Sequence, residues 1–71
     1  MARVKTEYQQ ILYEVEVMIE LNKNGHNQEE IQMILAINDE RFETIQKILR
    51  KRGDKETNEE LSGRVFEEIY K

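Results

Sequence analysis

Between residues 7 and 24 the apolar positions recur at the spacing of an α-helix, with Tyr8, Ile11, Leu12, Val15, Met18 and Ile19 on one face. Tyr13, Val17 and Leu21 form a second stripe at i, i+4 and i+8, roughly opposite the first. A helix that is apolar on two sides needs cover on both. Two arrangements supply it: a C-terminal helix of the same chain folded over the second stripe, or a homodimer seam. Asn24 and Gly25 then supply residue types that tolerate the left-handed conformation closing a helix.

The polar positions between the apolar runs carry start signals. Asn27 and Glu30 have the spacing of a capping box, and a short second helix follows with Ile31, Ile34 and Leu35 as its apolar face. Ala36-Ile37-Asn38-Asp39 interrupts it and brings a further capping residue. A third helix is expected from about Asp39 to Arg52, burying Phe42, Ile45 and Leu49 with Ile48 at its margin, and ending at Gly53. After the polar linker Gly53-Asp54-Lys55-Glu56, Thr57 and Glu60 form another capping-box pair. The fourth helix, over 57–70, presents Leu61, Val65, Phe66 and Ile69, and Gly63 either allows a neighbour to approach closely or is a tolerated weak point.

At 71 residues the chain has room for a single small helical domain spanning 1–71, with a flexible N-terminus over 1–6. So small a core leaves stability marginal. Zero Cys excludes disulfides as the supplement and fits a reducing, cytoplasmic setting, which makes self-association the expected one. Met1-Ala2-Arg3-Val4-Lys5 has the charges of a signal peptide without an apolar stretch behind it, and no apolar run is long enough for a membrane span. No membrane partner is expected.

Catalytic chemistry finds no footing in the sequence. One His, one Ser (Ser62) and no Cys leave no nucleophile with a base and an orienting group, and no Gly-rich phosphate loop is present. The chain is therefore expected not to be an enzyme and to need neither cofactor nor small-molecule substrate. His26 with Glu29 and Glu30 lacks the second His or Cys of a tetrahedral site, so it is read as a loop His beside a capping pair.

From Leu21 to Leu49 the chain reads as a helix end, a Gly, a capped helix of about two turns, a tight turn and a longer capped helix. This stretch resembles the helix-turn-helix superfamily. Glu30-Ile31 stands where the family often has Glu-Ile, Leu35-Ala36-Ile37-Asn38 where it has Leu-Gly-Ile-Ser, and Phe42 and Ile45 where it has apolar residues of the recognition helix. Gln32 replaces the family's usual small residue, and Ala36 its turn Gly. The resemblance implies an all-α fold: a tri-helical core whose helix-turn-helix-like unit spans 27–52, with the C-terminal helix added.

What the resemblance implies for function is DNA binding, with the second helix of the unit in the major groove. By position, Asp39, Glu40, Arg41, Glu43 and Thr44 would meet base edges, and Lys47, Arg50 and Lys51 phosphates. Arg41, Thr44, Lys47, Arg50, Lys51 and Arg52 are the candidate nucleic-acid contacts. Charge complicates this, because the formal net charge is −4 and Asp39, Glu40 and Glu43 place carboxylates where phosphates would lie. The basic run 47–52 equally suits a solvated helix end, where Glu43 and Lys47 have the spacing of an i, i+4 pair and cations complement the dipole. Tyr13, Val17, Leu21, Phe66 and Tyr70 are the candidate oligomer interface.

Three expectations follow. The first is a small, dimeric helix-turn-helix regulator of transcription of bacterial or phage type. The second is an acidic helical adaptor or inhibitor that acts on a partner protein without binding DNA. The third is a structural subunit that only assembles with itself.

Overall fold

The structure, a computed structural model, describes residues 6–71. Arg3, Lys5 and all but the last residue of the expected flexible stretch lie outside the described residues. Among those described, four α-helices follow one another with no strand: α1 (Glu7–Lys23), α2 (Gln28–Leu35), α3 (Asp39–Arg50) and α4 (Asn58–Ile69). This is the all-α class that the periodicity predicts.

Side chains fix where each helix starts. Thr6, assigned by the sequence reading to a flexible end, caps α1: its hydroxyl accepts from the Gln9 amide at 3.1 Å, and the Gln9 side chain accepts from the Thr6 amide at 3.1 Å. The expected boxes at Asn27/Glu30 and Thr57/Glu60 form in the same way. Asn38 opens α3 by accepting from the Arg41 amide at 2.8 Å. Each such cap is worth about 0.5–2 kcal/mol.

Two of the helices, α1 and α2, end through a residue in the left-handed conformation. Gly25 takes φ +79, while the His26 amide donates to the Leu21 carbonyl at 3.1 Å and the Gly25 amide to Asn22 at 3.2 Å. That pair of bonds is a Schellman closure. Ala36 takes φ 55 and ψ 47 after α2, with the Ile37 amide donating to the Gln32 carbonyl at 3.2 Å. It is the one non-Gly residue with positive φ among those described.

The core draws Ile11, Val15 and Met18 from α1, Ile31 and Leu35 from α2, Phe42, Ile45 and Ile48 from α3, and Leu61 and Val65 from α4. Helix α4 packs on both α1 and α3 within the same chain. Tyr8 fastens it, donating its hydroxyl to the Glu59 carbonyl at 2.8 Å, and the Tyr8, Phe66 and Tyr70 rings line up with centroids 6.2 and 4.8 Å apart. Phe66 and Tyr70, read as candidate interface residues, thus make their ring contacts inside the chain. Val17 and Leu21 of the second stripe are half-buried against the core, whereas Tyr13 is 42% exposed.

Three details differ from the sequence reading. Ile34 is 52% exposed, because Ile31 and Leu35 already fill the contact of so short a helix and Ile34 is turned well away from Leu35. Ile48, expected at the margin, is buried and Leu49 is the half-buried one, since α4 covers the Ile48 side of α3. Gly63 admits no close neighbour: a Cβ there would meet nothing within 4 Å.

Candidate nucleic-acid interface

The six candidate contact residues divide into two groups by what their polar heads already hold. Arg41 points inward. Its Nε donates to a Glu14 carboxylate oxygen at 2.7 Å and its Nη2 to Glu7 at 3.1 Å, both on α1. The other Glu14 oxygen accepts from Gln10 Nε2 at 2.9 Å. Burial acts to lower the pKa of the Arg41 guanidinium, but the hydrogen bonds and charge of Glu14 and then Glu7 outweigh it and hold the group above its ordinary value. Arg41 is therefore a structural cation joining α3 to α1.

Thr44 and Arg52 are also engaged. The Thr44 hydroxyl donates to the Glu40 carbonyl one turn back at 2.9 Å. Arg52 donates from Nε and Nη2 to the Glu56 carbonyl at 3.2 and 2.9 Å, which orders the linker before α4. Glu56 is itself gripped by Arg64, whose Nη1 lies 2.7 and 2.8 Å from its two oxygens, and by the Gly53 amide at 3.1 Å. The Arg64 bond first, then the Gly53 amide, holds the Glu56 carboxyl below the usual glutamate range.

Lys47, Arg50 and Lys51 remain. All three are exposed, and no ion pair or side-chain hydrogen bond among the described residues involves them. They occupy the C-terminal half of the outward face of α3, and Asp39, Glu40 and Glu43 occupy the N-terminal half of that face. Glu40 and Glu43 are unpaired as well, while Asp39 accepts from Gln32 Nε2 at 2.7 Å. A groove between α3 and α4 sets Glu67 and Glu68 across from Lys47 and Lys51, with Arg64 and Lys71 beside them and Lys71 Nζ 3.5 Å from a Glu68 oxygen. The exposed face is thus divided by sign rather than uniformly basic.

His26 lies with Nδ1 3.6 Å from a Glu30 oxygen, the other oxygen of which accepts from the Asn27 amide at 3.1 Å. No group of three or more metal-ligating side chains occurs among the described residues. No described helix is long and apolar enough to cross a membrane. No family model, curated protein or solved structure matches the chain.

Glu14 is the site residue that the sequence reading passed over. It is 3% exposed and sits among Ile11, Val15 and Met18 on the core face of α1. The signal was its position: a carboxylate three residues after one core residue and four before another needs a cationic partner from another helix.

Proposed function

We propose that the protein is a small DNA-binding regulator that docks through the C-terminal half of α3. One observation carries this reading: Lys47, Arg50 and Lys51 stand unpaired on the outward face of the helix that follows a two-turn helix and the left-handed Ala36. The turn is the position where the helix-turn-helix resemblance has Gly, and Ala36 adopts the conformation a Gly there would supply. Asp39, Glu40 and Glu43 would repel phosphates, so contact falls to the basic half of α3 rather than to its first turn.

The test is fluorescence anisotropy of a labelled duplex titrated over a salt series. Three phosphate contacts give a slope of log K on log salt of about −2.7, and Lys47→Gln reduces its magnitude by about 0.9. Arg41→Gln, at a side chain held by Glu14 and Glu7, leaves the slope at the wild-type value at a temperature where circular dichroism shows the variant folded. Absence of salt-dependent binding at low ionic strength overturns the reading.

The second reading, an acidic adaptor that binds a protein, is favoured by the same face seen from its other end. Asp39, Glu40 and Glu43 at the start of α3 present an acidic edge suited to a basic protein surface. Capture of a stoichiometric protein partner that Glu43→Lys releases, together with no DNA binding, selects it.

A further inference from the structure

The charges on the outward face of α3 are arranged as a mirror with the sign reversed. Counting from Ile45, Glu43 and Lys47 lie two residues to either side, Glu40 and Arg50 five, and Asp39 and Lys51 six. Ile45 is fully buried, so the direction opposite it is the centre of the exposed face, and all six charged residues are exposed around that direction. At 1.5 Å per residue the three levels fall about 3, 7.5 and 9 Å from the centre. Arg41, the one charged residue of α3 without an opposite at its mirror position, is the one turned inward to Glu14.

A two-fold axis passing level with Ile45 sets such a helix antiparallel to its own copy. At about 100° per residue Asp39, Glu43 and Arg50 fall on one flank of the exposed face and Glu40, Lys47 and Lys51 on the other. The axis sets each flank, reversed in height, against the same flank of the copy, so that acids meet bases. We infer that α3 pairs antiparallel with α3 of a second copy, Asp39 against Arg50 and Glu40 against Lys51 along the two flanks, and Glu43 against Lys47 across the middle. The helix dipole favours acids at the start and bases at the end of any helix, but it acts within the terminal turns. It does not account for the equal spacing about Ile45, and Glu43, at the i, i+4 spacing from Lys47 on its own helix, makes no ion pair with it.

Held by exposed pairs without an apolar centre, this dimer is weak and salt-sensitive, with a dissociation constant on the order of 0.1–1 mM at low ionic strength. Its consequence for function rests on the DNA reading above: pairing covers Lys47, Arg50 and Lys51, so self-association and DNA binding compete for one face. It also gives the three carboxylates a role on a face that they would otherwise make unfavourable for DNA.

Sedimentation velocity of the full chain from 10 µM to 2 mM, at 20 mM and 500 mM salt, provides the test. Wild type is expected to dimerise at low salt and dissociate at high salt. Glu43→Lys alone, or Lys47→Glu alone, sets like charges together twice per dimer and weakens pairing tenfold or more. The double exchange Glu43→Lys with Lys47→Glu on one chain restores the mirror and restores pairing. Helical circular dichroism of each variant verifies folding, and an equimolar mixture of the two single variants supplies a readout that does not depend on the double. A wild type that stays monomeric at 2 mM and low salt, or a dimer that the exchange does not rescue, overturns the inference. A monomer that still binds duplex DNA removes the pairing alone and leaves the DNA reading intact; a rescued dimer that binds no DNA does the reverse.

Discussion

Arg41 Nε lies 2.7 Å from a carboxylate oxygen of Glu14, a side chain only 4% exposed, and the pair ties the start of α3 to the middle of α1. Removing one member leaves the other charge in a site built for two. Arg41→Ala is expected to cost about 2–4 kcal/mol, since an uncompensated buried charge is the expensive outcome. Replacing both by Leu recovers most of that loss, because the desolvation of both charges disappears together. Urea denaturation of Arg41→Leu, Glu14→Leu and the double variant, treated as a double-mutant cycle, measures the coupling.

Much of the architecture was legible from the spacing of apolar residues and from Asn27, Asn38, Thr57 and their partners, since caps and periodicity are local in sequence. What the sequence hid is non-local. Nothing in the run 39–52 separates Arg41, fixed by Glu14 and Glu7 on α1, from Lys47, Arg50 and Lys51, which face solvent. The capping role of Arg52 toward the Glu56 carbonyl depends on how the linker folds back. Ile34 was misplaced because a helix of eight residues defines its buried direction poorly, and only contact with α1 and α3 settles it.

Glu56 makes the linker into α4 sensitive to acid. Its carboxyl is held below the usual glutamate range by Arg64 and the Gly53 amide, so its contribution to stability is complete above the unfolded value. That contribution is lost as pH falls through the lower, folded value. Glu56→Gln abolishes the titration while retaining one acceptor oxygen. Thermal midpoints followed from pH 7 to pH 2 are expected to show the variant below wild type at neutral pH and the two curves converging in acid. Parallel curves would remove Glu56 from the acid response.

Gly63 lies inside α4 with open space where a Cβ would sit and no positive φ to require it. The Ala variant keeps every contact and restricts the unfolded chain. Gly63→Ala is expected to stabilise by about 0.5–1 kcal/mol. In a domain of this size that raises the thermal midpoint by roughly 2–8 °C. A drop in midpoint would mean that some neighbour does need the space, which is the role the sequence alone left open.

Ala36 presents the opposite case, a side chain where the backbone favours none. At φ 55 and ψ 47 its Cβ crowds its own carbonyl, at about 1–2 kcal/mol. Gly relieves that crowding but gives the unfolded chain more freedom, which returns about 0.5–1 kcal/mol. Ala36 is exposed, so no packing is lost. Ala36→Gly is therefore expected to gain roughly 0.5–1 kcal/mol, and Ala36→Val, whose branched Cβ fits the left-handed region worst, to lose more than that. If α2 and α3 act as a helix-turn-helix, the two substitutions should also part in the anisotropy assay: Gly keeps the crossing of α2 and α3 and hence the placing of Lys47, Arg50 and Lys51, whereas Val distorts it. Equal stability and equal DNA affinity for all three residues at position 36 would show that the turn neither strains the chain nor positions its basic edge.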